Sequence, residues 1–149
     1  MSTPELVSAF YERIWNRGEL AAAESILHAS FSFRGSLGDQ CAGIESFLDY
    51  VRTVHACLAQ YRCDILDCVS EGDRAFARMR FSGSHVASLR GWEPTGLPVE
   101  WQGAALFTFR DGLIVSLWVL GDLAALESNL ERNAVAQSAQ QALRADAAS

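Results

Sequence analysis

Two apolar, strand-like runs, Val99 to Phe109 and Leu113 to Leu120, meet across the turn Arg110-Asp111-Gly112. Asp-Gly between apolar runs is a strong hairpin signal, because both residues tolerate the positive φ that a tight turn demands. A chain with this hairpin must build an antiparallel sheet and cover it. The second run is apolar on both faces: Ser116, Trp118 and Leu120 project one way, Leu117 and Val119 the other. One face can pack on helices of the same chain. The other also needs cover, and a second copy of the chain is the simplest source. The expectation is therefore a homodimer through the outer sheet face, with a crossing loop of the same chain as the alternative.

Upstream, the pattern changes period. Pro4 to Asn16 reads as a helix, with Leu6, Phe10 and Ile14 beside Val7 and Tyr11 at helical spacing. Thr3 is the expected cap, Pro4 suits the first turn, and Gly18 stops the helix. Glu19 to Leu27 reads as a short helix, Phe31 to Phe33 as a short strand, Gly35 to Gly43 as a polar loop, and Ile44 to Leu58 as a third helix. Arg62 to Val69 and Arg74 to His85 then alternate as strands about the turn Glu71-Gly72-Asp73. In the second of these, Ala75, Ala77, Met79 and Phe81 share one face, and Arg78 and Arg80 the other. A loop spans Gly91 to Gly96, and a closing helix spans Leu123 to Asn133. Helices first and antiparallel strands after give an α+β fold, with the helices on one face of a sheet. Residues 1–133 are expected to form a single domain and 134–149 an Ala- and Gln-rich tail that prolongs the last helix or frays.

Composition narrows the function. Half the residues are hydrophobic, a fifth are charged, and the net charge is -6, so a globular protein is expected and no basic stripe marks a nucleic-acid or anionic-membrane partner. No apolar run approaches the roughly 18 residues needed to cross a bilayer. The N-terminus lacks the basic and apolar regions of a signal peptide, so a cytoplasmic location is expected. Cys41, Cys57, Cys63 and Cys68 are expected as reduced thiols. They and His28, His55 and His85 show no ligand spacing, so no metal is expected.

The hairpin ends in Trp118-Val119-Leu120-Gly121-Asp122. A lone carboxyl held among apolar residues has its charged form disfavoured, which suits it to proton transfer near neutral pH. Asp122 also stands where the last helix begins, and Asp is a favoured N-cap. A capping carboxylate is shifted the opposite way. His85, after Gly83 at a strand end, could hydrogen-bond a substrate carbonyl or orient a water, or serve the structure alone. Trp15, Trp118, Met79 and Phe81 are candidate pocket walls, with core packing as the plain reading. Turn geometry decides which face of Val99 to Phe109 joins Trp118. A two-residue turn brings Trp101, Ala105 and Phe107. A three-residue turn with a bulge brings Gln102, Ala104, Leu106 and Thr108. The second is preferred, because it places Gln102 on the face with Asp122.

Several short stretches together resemble the SnoaL-like polyketide cyclase and ester cyclase group of the NTF2-like cone fold. Glu71-Gly72-Asp73-Arg74 resembles the family's turn before its long strand, and Phe81-Ser82-Gly83-Ser84-His85 its Gly-Thr-His step. Gly91 with Pro94-Thr95-Gly96 resembles its G…PTG loop, and Arg110-Asp111-Gly112-Leu113-Ile114 its hairpin. Trp118 followed by Asp122 resembles its W-x-x-x-D ending. Arg34 stands where members usually carry a histidine, and Leu58-Ala59-Gln60 where they carry Phe-Pro-Asp. The resemblance implies a curved antiparallel sheet wrapped around the N-terminal helices, enclosing a pocket. It implies a cofactor-independent intramolecular aldol closure or isomerisation of a carbonyl-rich small molecule, with Asp122 as general acid/base. The competing readings are a non-catalytic small-molecule-binding cone, an epoxide hydrolase, and a ketosteroid-isomerase type. The epoxide hydrolase needs paired Asp residues bridged by Arg. The ketosteroid-isomerase type needs a tyrosine and a protonated acid together, and nothing in the sequence places Tyr11, Tyr50 or Tyr61 near Asp122.

Overall fold

The computed structural model describes residues 1–148; Ser149, the last residue of the expected tail, lies outside them. Helix α1 (Thr3–Ala9) is capped by Ser2 and not by Thr3: the Ser2 hydroxyl accepts the Glu5 N–H while the Glu5 carboxylate accepts the Ser2 N–H at 2.9 Å. Its continuation, Phe10–Asn16, winds as a π-helix. The wider turn lets Phe10, Tyr11, Ile14 and Trp15 all be buried. A 3₁₀ turn (Leu20–Ala22) and a single turn of α-helix, α2 (Ala23–Ile26), replace the longer second helix expected.

Strand β1 (Leu27–Arg34) begins where that helix was expected to end, and β2 (Gln40–Ala42) is an edge strand inside the expected polar loop. Helix α3 spans Ile44–Cys57, and β3 (Leu58–Glu71), β4 (Arg74–His85), β5 (Pro98–Arg110) and β6 (Leu113–Gly121) follow. The six strands form one curved sheet in the order β2-β1-β6-β5-β4-β3. All neighbours are antiparallel except β1 and β6. The beginning of β3 is masked in the sequence because Gln60 adopts positive φ and the register shifts between Ala59 and Arg62. Helix α4 runs unbroken over Leu123–Ala148, so the tail prolongs the last helix, and only Leu126 and Leu130 in it are buried.

The hairpin register has two causes. Asp111 and Gly112 both have positive φ, and Arg110 pairs with Leu113, which is a two-residue turn. Two residues later the ladder skips Val115: Phe109 pairs with Ile114 but Thr108 with Ser116. The bulge restores the register expected of a longer turn, setting Leu106 opposite Trp118.

The concave face carries Ala75, Ala77, Met79 and Phe81 of β4, Trp101, Ala105 and Phe107 of β5, and Leu117 and Val119 of β6, all buried against the helices. Phe47 of α3 is the hub, with rings of Phe10, Trp15, Phe31 and Phe33 at centroid distances of 5.6, 5.8, 5.3 and 4.8 Å. Burying such rings is the dominant favourable term of the fold.

Candidate active site: a closed chamber of tyrosines

Between the π-helix, α3 and the concave face lies a small chamber lined by Phe10, Tyr11, Trp15, Phe33, Ser36, Tyr50, Tyr61, Cys63, Phe81 and Val119. All three tyrosines of the chain meet there. The π-helix supplies Tyr11 and Trp15, α3 supplies Tyr50, and β3 supplies Tyr61 and Cys63 from alternate residues of one face. No charged side chain lines it. Its free volume is about 10 Å³, space for roughly one water.

The loop after β1 closes it. Gly35 and Asp39 are joined by a backbone bond of 2.8 Å, and Gly38 and Gly35 by one of 2.9 Å. Ser36 is buried with its backbone against Gly121, so closely that a Cβ on Gly121 would run into the Ser36 carbonyl. Leu37 holds the Tyr50 hydroxyl through its backbone. Beyond Tyr50 and Leu37 lies a groove of about 300 Å³ that also carries Asp39, Thr53, Cys57, Ser88 and Arg90. Tyr50 lines both spaces and so stands between chamber and groove, with Leu37 on the groove side.

The chamber's polar groups are neutral donors. Burial pushes the Tyr11 phenol well above its usual range, with the Cys63 sulfur adding to it. Burial likewise raises Tyr61 and Tyr50, the Leu37 backbone opposing the shift at Tyr50. The Cys63 thiol is raised by burial against a smaller lowering from its bond with Tyr61. At neutral pH the site is a set of O–H and S–H groups with no ionised member. The Tyr11 hydroxyl is buried and has no hydrogen-bond partner.

The residues expected from sequence separate into four places. Trp15 and Phe81 line the chamber. Met79 and His85 share its sheet face but lie outside its lining; His85 is fully buried, with neither ring nitrogen hydrogen-bonded. Gln102, Leu106 and Trp118 belong to the opposite, outer face. Trp118 is 44% exposed there, under the Arg34 guanidinium 5.5 Å from its ring centroid. The expectation that these three wall the inner pocket is corrected. The bulge puts Gln102 and Leu106 on Trp118's face as expected, but Leu117 and Val119 are the residues of β6 that turn inward. Arg34, also outward, donates to the Val119 carbonyl and so does not occupy an inner position.

Asp122 is exposed and is not part of the chamber lining; it follows in the chain the Gly121 that Ser36 covers. Its Oδ1 accepts the Ala125 N–H at 3.1 Å and its carbonyl accepts the Leu126 N–H at 3.2 Å, so it is the N-cap of α4. The apolar enclosure expected for this carboxyl is absent here. The tyrosines escaped the sequence reading as a site because each sits at ordinary core spacing in its own element; nothing in one sequence says that three such positions converge. Among the described residues no cluster of three His, Cys, Asp or Glu is arranged to hold a metal ion, and no helix is long and apolar enough to cross a membrane. The four cysteines are free.

The profile of the SnoaL-like polyketide cyclase family matches residues 5–130. Among curated proteins none matches the sequence. Solved structures share the fold. TsrD from Streptomyces laurentii is 27% identical with a TM-score of 0.74, the match covering 85% of this chain and 92% of that one. IdmH from Streptomyces antibioticus, a candidate polyketide cyclase, is 24% identical with a TM-score of 0.76, covering 88% and 99%. A Catenulispora acidiphila protein of ketosteroid isomerase-like fold, solved with trimethylamine, is 18% identical with a TM-score of 0.72, covering 87% and 95%.

Proposed function

Because the chain belongs to the SnoaL-like polyketide cyclase family, we propose that it catalyses cofactor-independent intramolecular aldol closure, or isomerisation, of a small carbonyl-rich compound. The observation that supports this most is the chamber itself: apolar walls around neutral hydrogen-bond donors, with a carboxylate one residue beyond its cover. In the closed loop position Asp122 faces solvent. It acts once the Gly35–Asp39 loop moves aside and substrate spans the rim. The Asp122 carboxylate then takes a proton from a carbon between two carbonyls. The enolate carbon attacks a second carbonyl carbon of the same molecule, forming one C–C bond, and the new alkoxide recovers the proton from Asp122. Atoms and electrons balance without an oxidant or a metal, and the walls hold the two reacting carbons together.

The test uses linear poly-β-ketones with the wild type and with Asp122→Asn and Asp122→Ser. Both replacements keep an N-cap and remove the base. Ring closure accelerated by the wild type and lost in both variants supports the proposal. Closure undiminished in the variants sinks it.

One observation favours a second reading, a non-catalytic binding cone: Asp122 is already committed to capping α4. Tight binding of such ketones without turnover is the result that selects it. The epoxide-hydrolase reading loses ground, because Arg78 and Arg80 stand on the outer face and no Asp lines the chamber. The ketosteroid-isomerase reading gains its phenols but finds no carboxyl among the lining residues.

The outer face exposes Val69, Phe76, Trp118 and Leu120, from 43% to 62%. This supports the homodimer as a further part of the proposal. Light scattering of wild type against Trp118→Glu/Leu120→Lys checks it: a dimer that becomes a folded monomer agrees, and a monomeric wild type refutes it.

A further inference from the structure

The Tyr11 hydroxyl is the odd group in the chamber. The Tyr50 hydroxyl is held by the Leu37 backbone, and the Tyr61 hydroxyl bonds to Cys63. Tyr11 lines the same space, is 3% exposed, and has no partner for its O–H. An unsatisfied buried hydroxyl is destabilising, a loss that a bound acceptor would cancel. The phenyl ring itself is well held, edge-on to Phe10 at 4.9 Å and to Phe107 at 5.9 Å, so the hydroxyl is aimed rather than free to turn away.

The chamber's chemistry defines the acceptor. With no cation in the lining, a carboxylate would enter without a counter-charge. With no anion, an ammonium group fares no better. A neutral ketone or ester oxygen needs only one donor and tolerates apolar walls. We infer that Tyr11 is the carbonyl-binding residue of this chain, and that the chamber selects an uncharged ligand by seating one ketone or ester oxygen on the Tyr11 hydroxyl. The inference rests on the reading of the chamber as a small-molecule site, but not on Asp122 or on turnover. The rings of such a ligand extend past Tyr50 toward the adjoining groove, whose Asp39 and Arg90 stand outside the chamber lining, so the selection against charge acts at the Tyr11 end.

Three probes of one ring size separate the alternatives: 1-indanone labelled with carbon-13 at its carbonyl, indane, and indane-1-carboxylate. Affinities are read from the fluorescence of Trp15, which shares the chamber, with Trp15→Phe as the check that the signal comes from there. A single neutral hydrogen bond contributes about 0.5–1.5 kcal/mol, roughly a two- to tenfold preference. The wild type should bind indanone tighter than indane by that factor and indane-1-carboxylate weakest of the three. Tyr11→Phe should bind indane unchanged and lose the preference for indanone. Thr108→Val, on the outer face of the sheet, should retain it. The indanone carbonyl carbon should move downfield on binding the wild type and not on binding Tyr11→Phe, a signature that a purely structural tyrosine would not produce.

Equal preference in wild type and Tyr11→Phe overturns the inference. So does carboxylate binding as tight as indanone, or no binding of any probe to a folded protein. Failure of this pattern with ring closure still dependent on Asp122 removes Tyr11 and leaves the cyclase reading. The converse leaves a carbonyl-binding protein without the aldol step.

Discussion

Gly121 is where the closure of the chamber can be weighed. Its φ lies outside the left-handed region, so alanine there incurs no backbone strain, and any effect is steric. A Cβ would collide with the Ser36 carbonyl oxygen and stand only 3.1 Å from its carbon and 3.3 Å from its Cα. These are backbone atoms and cannot rotate away, so the Gly35–Asp39 loop must shift as a unit. Overpacking of this kind costs about 1–3 kcal/mol. For a chain of this size each kcal/mol lowers Tm by about 2–4 °C, so Gly121→Ala should melt roughly 2–12 °C below wild type, read by calorimetry. Pushing Ser36 off the rim should also admit solvent, so a fluorescent apolar dye should bind the variant more strongly under native conditions. Gly103→Ala is the comparison: its Cβ would meet the Leu120 carbonyl and the Phe81 ring at 2.7 Å each, a clash away from the loop. It presses on a chamber wall, Phe81, without touching Ser36, so it should lower Tm with a smaller gain in dye binding than Gly121→Ala. An unchanged Tm and unchanged dye binding in Gly121→Ala would refute the view that Ser36 is packed shut on this glycine.

Three further outcomes are expected. Asp122→Ala should lose about 1 kcal/mol through its N-cap bond, while Asp122→Ser should lose a few tenths at most; equal losses by chemical denaturation would mean that the cap contributes nothing. Tyr11, Tyr50 and Tyr61 all have phenols raised by burial in the folded state. Their contribution is therefore full below about pH 10, the unfolded value, and falls as pH rises above it. Tyrosinate absorbance should accordingly appear together with alkaline unfolding, and gradual ionisation of a still-folded protein would contradict the chamber. Phe47→Ala, at a fully buried ring touching four others, should cost about 3–5 kcal/mol, with Phe47→Leu costing less; a loss below about 1 kcal/mol would deny it the central place in the core.

The resemblance in the sequence and the fold agree because the signals were local and strong. Asp111-Gly112 allows only a tight turn, Arg74 to His85 alternates cleanly enough to fix both its ends and its faces, and Ile44 to Cys57 keeps one helical stripe. Errors arose where local pattern was silent. The 3₁₀ turn, the residues that open β1, and the edge strand β2 depend on partners distant in sequence. Trp118 was misplaced for a similar reason. A strand apolar on both faces does not say which face is inside, and the helices chose Leu117 and Val119.

What the sequence determined by itself is therefore the order of elements, the α+β class and the family, since these follow from period, turn chemistry and short motifs read along the chain. What only the tertiary structure decided is the site. A one-residue bulge at Val115 set the register of two strands, and a π-helical turn brought Tyr11 and Trp15 inward. A loop then packed its backbone on Gly121 and left Asp122 outside. Each of these depends on contacts between residues far apart in the chain, and such contacts are settled only when the whole core packs at once.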